Sequence, residues 1–200
     1  MIYKVRFLNN NECYKRYQYH QVKGMILHST GANNPYLKRY IQPNDGILGE
    51  NKNRNSWNTY RPDNQQKCVH AFIGKTASGE IAIYQTLPWN IIGWHGGHGR
   101  KGSANYMGYV GVEMCEDALT DSKYLMQCYT AAAELFADLC TQYKLDPYGD
   151  GVILSHSEAA KKGIASWHVD CDHWLKRFGL TMTDFRRDVQ RILQNRGKSK

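Results

Sequence analysis

Short apolar runs alternate with polar, turn-forming residues through the first three quarters of the chain, a pattern typical of β-strands. Five of these runs predict strands, at residues 22–27, 68–73, 80–84, 109–115 and 151–154. The segment 76–79 between the second and third runs predicts a hairpin turn, in which Gly79 suits a positive φ. Because residues 109–115 are apolar on both faces apart from Glu113, we expect this strand near the centre of the sheet.

Two later stretches carry apolar residues at the 3.6-residue period of amphipathic helices. The first spans residues 122–144, and the second spans residues 182–193. Helices that follow strands in this way predict the α/β class, as a single domain with a central mixed β-sheet flanked by helices. We expect that domain to cover residues 1–200, with its core at about 22–194.

Local signals predict helix ends and one long loop. Ser157 is expected to cap a short helix that ends at Gly163, and Thr181 with Asp184 offers a cap at the start of the final helix. The polar stretch 42–66, rich in Asn, Gly, Arg and Asp, predicts a long loop or insertion. A loop of that length usually serves a functional site, so we expect it to border the binding groove.

The composition is that of an ordinary globular chain with excess positive charge. It is 42% hydrophobic, and its 26 Lys and Arg against 18 Asp and Glu give a net charge of +8. This charge favours an anionic partner or serves solubility, but the basic residues are not interleaved with aromatic ones, so nucleic acid is not the predicted partner. The sequence predicts neither a membrane-spanning segment nor a signal peptide. Six cysteines without a disulfide or Cys-x-x-Cys spacing predict free thiols of a protein made in a reducing cytoplasm.

Two histidines and one aspartate form a candidate metal site. His28 and His156 each follow a short apolar run, and Asp170 lies fourteen residues after the second histidine. Two imidazoles and one carboxylate can hold zinc with its fourth position open, as in catalytic zinc sites. A lone histidine is more often structural, Asp170 could instead cap a helix over 172–178, and Cys171 is a rival ligand, although neighbouring side chains usually diverge.

Four further residues are candidates for catalysis or binding. Glu113 is a carboxylate within an apolar strand, which predicts either a proton-transferring group or a buried ion pair. His168, two residues before Asp170, could stabilise an oxyanion or be a surface histidine. Trp94 and His95 lie in a glycine-rich loop, which predicts a substrate-binding rim; a histidine-rich metal tract is the alternative.

Seven short motifs occur in one order along residues 22–194. They are Ile26-Leu-His28-Ser-Thr, Val69-His70-Ala-Phe-Ile-Gly74, Ser78-Gly79-Glu80, Gly93-Trp94-His95-Gly96-Gly97, Val110-Gly-Val-Glu113, Ser155-His156-Ser-Glu158 and His168-Val-Asp170. In this order they resemble the type-2 N-acetylmuramoyl-L-alanine amidases, which share a fold with the peptidoglycan recognition proteins. The segment between the last two motifs is most similar to the phage and clostridial branch.

The resemblance implies an enzyme that cleaves the amide between the muramoyl lactyl group and L-alanine in bacterial peptidoglycan. It implies Zn²⁺ held by His28, His156 and Asp170, and a catalytic glutamate at Glu113. Relatives often carry Lys where this chain has His168, and many carry a catalytic Tyr where it has Val69. Without a signal peptide, a phage endolysin released onto the wall fits better than a secreted autolysin. The alternatives are a non-catalytic wall-binding module and a basic nucleic-acid-binding protein with structural zinc.

Overall fold

Six strands form one mixed sheet in the computed structural model, which describes residues 2–198. In chain order they are β1 (Ile2–Val5), β2 (Gly24–Ser29), β3 (Ala71–Lys75), β4 (Ile81–Gln85), β5 (Tyr109–Met114) and β6 (Ile153–Ser155). Across the sheet the order is β1-β4-β3-β5-β2-β6. Every neighbouring pair is parallel except β3 and β4, whose hairpin turn holds Gly79 at a φ of 89°. The predicted mixed sheet, its hairpin and the inner position of the 109–115 strand are confirmed.

Five α-helices accompany the sheet: α1 (Glu12–Arg16), α2 (Ser122–Tyr143), α3 (His156–Lys161), α4 (Asp172–Arg177) and α5 (Met182–Lys198). The predicted cap of α5 is confirmed, since the Thr181 backbone N–H donates to the Asp184 carboxylate and the Asp184 N–H donates to the Thr181 hydroxyl, at 3.0 and 3.2 Å. Among the described residues, no helix is both long and apolar enough to cross a membrane.

The two faces of the sheet bury different partners, because successive side chains of a strand point to opposite sides. On one face, Met25 and Leu27 of β2 pack with residues of α2, α4 and α5, including Phe136 and Phe185. Full burial of such side chains contributes about 1.5–3 kcal/mol each. On the other face, Phe72 packs against the segment that follows β2. The candidate site lies on this second face.

The predicted cap of the short helix is wrong by two residues. Ser155, not Ser157, caps α3: its hydroxyl accepts from the Glu158 backbone N–H at 3.2 Å, and the Glu158 carboxylate accepts from the Ser155 N–H at 3.1 Å. This reciprocal pair uses the Ser-x-x-Glu spacing that begins one residue before His156. Ser157 lies within the first turn, and its hydroxyl donates to Asp172 at 2.6 Å.

Two elements near the N-terminus were not predicted. β1 is a four-residue edge strand, and α1 has five residues, too few to show a helical period. Asn11 caps α1 by accepting from the Cys13 N–H at 2.9 Å. All six cysteines are buried and free, which confirms the prediction of unpaired thiols.

The predicted loop at 42–66 contains only one short 3₁₀ turn, Pro62–Asn64. Side chains replace regular hydrogen bonding here: the Asp45 carboxylate accepts from two backbone N–H groups at 3.1 Å and from the Tyr84 hydroxyl at 2.7 Å. Arg61 donates to the buried carboxylate of Glu12 at 2.6 and 3.1 Å, which ties the loop to α1. The loop or insertion is therefore held by polar contacts between its own residues and with side chains of α1 and β4.

Candidate active site

Three neighbouring strands place one side chain each in a row across the second face of the sheet. The strand register pairs Phe72 of β3 with Glu113 of β5, and Glu113 with His28 of β2. Because paired residues of parallel strands lie about 5 Å apart and face the same side, Glu113 is fixed between an aromatic ring and an imidazole. This row forms the floor of the site.

His28, His156 and Asp170 converge at one end of the row. The Asp170 carboxylate lies 2.9 Å from His28 Nδ1 and 3.4 Å from His156 Nδ1, and the two Nδ1 atoms are 3.1 Å apart. One donor atom from each residue can be chosen so that all three lie within 4.8 Å of one another. His28 is the second-last residue of β2, His156 begins α3, and Asp170 precedes α4, so three separate parts of the chain supply the cluster. Such a donor set suits a divalent cation.

Charge and burial act together on this cluster. Burial opposes ionisation of Asp170, but the hydrogen bond from His156, together with the adjacent His28 ring, outweighs it and holds the pKa of this carboxyl well below its usual range. Burial lowers the pKa of His28, against the opposing effect of Asp170. A neutral imidazole beside a carboxylate is the protonation state in which both can bind a metal.

His95 sets the orientation and the tautomer of His28. The Tyr109 carbonyl can only accept, so His95 Nε2 donates to it at 3.1 Å, and the neutral His95 ring then accepts through Nδ1 from His28 Nε2 at 3.0 Å. Burial, followed by the charge of His28, lowers the pKa of His95 and favours that neutral ring. His28 Nδ1 is thereby left without a proton and faces Asp170. Position 111 must be glycine here, because a Cβ would lie 2.5 Å from the His95 ring.

The segment that carries Asp170 is held from both sides. Asp172 accepts from the hydroxyls of Ser155 and Ser157, each at 2.6 Å, which joins it to the start of α3. His173 Nε2 lies 3.1 Å from the buried carboxylate of Glu116, whose same oxygen accepts from the Gly31 N–H at 3.1 Å. Asp170 is thus fixed between the two elements that supply the histidines.

The structure separates the alternatives for Asp170 and Cys171. Cys171 is fully buried in the core, with Sγ 4.0 Å from the sulfur of Met182, and its side chain turns away from the histidines. It also occupies the N-cap position of α4 without a side-chain cap bond. Asp170 is therefore neither the cap of α4 nor displaced by the neighbouring thiol.

Glu113 lies in the middle of the row with one oxygen unused. Its Oε2 is buried and has no hydrogen-bond partner among residues 2–198. Burial comes first in raising the pKa of Glu113 well above its usual range, and the negative charges of Asp170 and Glu116 raise it further, while Lys67 opposes them. The buried ion pair considered from the sequence is not present in the described chain. A carboxyl group of this kind can exchange a proton with a bound molecule.

Residues 18–171 match the family described as N-acetylmuramoyl-L-alanine amidase. The chain belongs to this family. The chain also has the fold of several solved structures: the catalytic domain of XlyA (18% identity, 94% of this chain and 99% of that one, TM-score 0.62), the PlyG catalytic domain (16%, 96% and 94%, 0.62) and the Staphylococcus aureus hydrolase AmiA (15%, 94% and 80%, 0.60). No curated protein matches the sequence significantly.

The protein has a cavity of about 590 Å³ above the row. All the predicted site residues line it: His28, Trp94, His95, Glu113, His156, His168 and Asp170. His168 is exposed, and its ring centroid lies 4.8 Å from that of His156. Trp94 is half-buried, and its ring meets those of His98 and Tyr106 edge-on. His95 is also at the cavity, but both of its ring nitrogens are occupied by His28 and Tyr109.

Several residues that line the cavity were not predicted from the sequence. Trp57, Gln65 and Gln66 line it, which confirms that the 42–66 segment borders the groove. Lys67, immediately after that segment, lines it as well. The polar composition of the segment predicted that it borders the groove, but it did not predict which of its residues face the site. The supporting carboxylate Asp172 was considered only as part of a short helix.

Proposed function

We propose that this protein is a zinc-dependent amidase that hydrolyses the bond between the muramoyl lactyl group and L-alanine of bacterial peptidoglycan. The observation that carries the proposal is the convergence of His28, His156 and Asp170 beside the unpartnered Glu113 in one open cavity. Membership of the N-acetylmuramoyl-L-alanine amidase family supports the same substrate class.

The donor set fits zinc. His28 presents an unprotonated Nδ1 to an ionised Asp170, and His156 has a buried Nε2 without a hydrogen-bond partner among the described residues. Two nitrogens and one carboxylate are typical of catalytic rather than structural zinc sites, which are closed by four ligands. A bound zinc ion would supply Lewis acidity here, polarising a carbonyl oxygen and lowering the pKa of a coordinated water to about 7.

Glu113 is the residue that we assign to proton transfer. Its free Oε2 would take a proton from the attacking water and deliver it to the nitrogen of the leaving L-alanine. Glu113 would thus act first as a base and then as an acid, because the proton lost by the water is the proton that the leaving amine needs. Because this chain has Val69 where many relatives have a tyrosine, Glu113 is the only proposed base.

His168 is proposed to stabilise the oxyanion that forms on the scissile carbonyl. It lies at the mouth of the cavity above His156, exposed to solvent, so a bound substrate can reach its ring nitrogens. A hydrogen bond to a developing negative charge is stronger than one to the neutral carbonyl, which favours the transition state. Trp94 is proposed to contact the substrate through its ring.

A lytic role follows from the same proposal. One solved structure of this fold, 18% identical, is described as a mutant endolysin from Bacillus subtilis. The net charge of +8 would concentrate the protein at an anionic cell wall through long-range attraction. We propose that it acts as a phage-type endolysin on the wall.

The test measures new amino termini released from purified cell walls, together with the loss of turbidity. We expect release by the zinc-loaded protein, its loss with a chelator and its recovery with zinc. Glu113→Gln should lower kcat by about 100-fold to 10⁴-fold without loss of bound zinc, because the amide cannot accept the proton. Glu50→Gln, an exposed glutamate outside the cavity, is the matched control.

Two results would contradict the proposal. Undiminished release by Glu113→Gln would remove the assigned base. Binding of walls by the zinc-loaded wild type without any new amino termini would instead identify a wall-binding module.

A further inference from the structure

One cation faces the cavity from the wall formed by the polar insertion. Among the described residues that line the cavity, Lys67 is the only lysine or arginine. Its side chain is 24% exposed, and its Nζ lies 5.0 Å from the centre of the Trp57 ring. Nζ also contacts the Asp63 carboxylate at 2.5 Å. An ammonium has three hydrogens to donate, so contact with Asp63 leaves two for a ligand.

Lys67 is fixed in place by the fold. The buried amide of Asn11 donates to the Trp57 carbonyl at 3.1 Å and to the Lys67 carbonyl at 2.9 Å. A single side chain therefore holds the backbone of both residues in place. The Trp57 ring itself packs edge-on against Phe72 at 5.0 Å and Tyr40 at 5.9 Å. The lysine therefore lies over a rigid aromatic support at the Phe72 end of the floor row.

Lys67 and the metal-binding candidates lie on opposite sides of Glu113. Phe72 is the register partner of Glu113 on one side, and His28 is its partner on the other. Glu113 thus lies between the Lys67–Trp57 pair on one side and the cluster of His28, His156 and Asp170 on the other. A substrate whose scissile amide reaches Glu113 must extend one of its two halves toward Lys67.

The charges of the substrate indicate which of its halves lies near Lys67. In a muramoyl peptide the only carboxyl of the muramic acid is consumed in the scissile amide, so the sugar half is neutral. The remaining carboxylates belong to the stem peptide. A lysine ammonium binds a carboxylate through charge-assisted hydrogen bonds, which are about twice as strong as neutral ones.

We propose that Lys67, supported by Trp57, binds a carboxylate of the stem peptide and makes the enzyme prefer peptides in which that group is free over peptides in which it is amidated. This specificity site rests on the proposed amidase function and names the half of the substrate that the insertion wall contacts.

The test uses two synthetic muramoyl peptides that differ only in the residue after L-alanine, which carries either a free carboxylate or the corresponding carboxamide. Wild type should favour the carboxylate form by about tenfold in kcat/KM, mainly through KM, since the ammonium binds ground state and transition state alike. Lys67→Met should bring this ratio close to one, while Lys67→Arg should keep most of it.

Lys52→Met is the matched control, because it removes the same charge from an exposed lysine of the insertion that does not line the cavity. It should leave the ratio at the wild-type value. Zinc content, measured for every variant, should be equal.

Equal kcat/KM of wild type for the two peptides, or an unchanged ratio in Lys67→Met, would overturn the specificity site and leave the amidase function intact. If wild type cleaves neither peptide, the proposed function fails, and the specificity site fails with it.

Discussion

The two ends of the floor row are built in different ways. At the His28 end, the functional side chains come from the ends of paired strands and the starts of helices, and each is fixed by hydrogen bonds from neighbouring elements. At the Phe72 end, the cavity wall comes from the insertion, whose turns depend on single polar side chains such as Asn11 and Asp45.

This difference assigns separate tasks to the two ends. The strand register fixes His28 beside Glu113, and hydrogen bonds from Ser155 and Ser157 to Asp172 hold the segment that carries Asp170, which suits chemistry that tolerates little displacement. The insertion wall is joined to the sheet by the packing of Trp57 on Phe72 and by a few hydrogen bonds, away from His28 and Asp170, so we expect its surface residues to change without moving those side chains. Changes at the His28 end should therefore alter zinc binding, whereas changes at the insertion wall should alter substrate preference or stability.

The largest effect is expected from the adjacent pair Asp170 and Cys171. Asp170→Ala should weaken zinc binding by more than about 100-fold, above the range for loss of a supporting residue, because it removes a proposed ligand. Cys171→Ala should bind zinc as wild type does and only lose stability, by about 1–3 kcal/mol, because its thiol packs in the core. Competition with a chromogenic chelator measures the first effect, and thermal unfolding measures the second. The reverse pattern would make the thiol the ligand.

A smaller loss of zinc affinity is expected when the support of Asp170 is removed. Asp172→Asn weakens the acceptor of the Ser155 and Ser157 hydroxyls, and it should lower zinc affinity by about 10- to 100-fold in the same competition assay. Asp150→Asn is the control, since Asp150 is 92% exposed and pairs only with Lys162 among the described residues. Equal zinc affinity in both variants would show that this contact does not position the ligand.

A loss of about tenfold is expected from His95→Phe, at the lower end of the range for such supporting residues. The phenyl ring keeps the shape over Gly111 but cannot accept the proton of His28 Nε2, so the His28 tautomer is no longer fixed. Trp94→Phe, a substitution of the neighbouring cavity residue, should leave zinc affinity unchanged and affect KM. A His95→Phe protein with wild-type zinc affinity would contradict the tautomer argument.

The smallest effect is expected on stability, from the Arg61–Glu12 pair that joins the insertion to α1, and it should depend on pH. The hydrogen bond from Arg61 is the main cause that lowers the pKa of Glu12 in the folded protein. The Arg61–Glu12 pair therefore stabilises the fold above the unfolded pKa of about 4.3. This stabilisation is lost as the pH falls through the lower pKa that Glu12 has in the folded protein. Glu12→Gln should lower Tm by about 2–4 °C near neutral pH, and the difference from wild type should shrink toward about pH 3. Glu50→Gln should show neither effect. A constant difference would mean that the charge of Glu12 does not matter.

The same division explains what the sequence could predict. The convergence of His28 and His156 was predictable because both mark strand ends, and parallel strand ends meet at one edge of the sheet. The Cys171 side chain points into the core, away from that of Asp170, as the rule that neighbouring side chains diverge predicts. By contrast, Lys67 and Trp57 have no periodic pattern around them, and their position depends on the long-range contact with Asn11, which no local signal reveals.

The cap of α3 shows a subtler limit. Both Ser155 and Ser157 are plausible caps by residue type, and the glutamate at position 158 decides between them through its spacing. Ser157 is instead used by Asp172, a contact between residues 15 apart in sequence. Tertiary hydrogen bonds of this kind position the site and cannot be derived from one segment alone.

X-ray absorption at the zinc edge of the fully loaded protein tests the central claim most directly. The account predicts one zinc per chain in a shell of nitrogen and oxygen only, with two imidazoles, one carboxylate and a solvent oxygen at about 2.0–2.2 Å. A sulfur scatterer at about 2.3 Å, or a closed shell without an exchangeable oxygen, would contradict it.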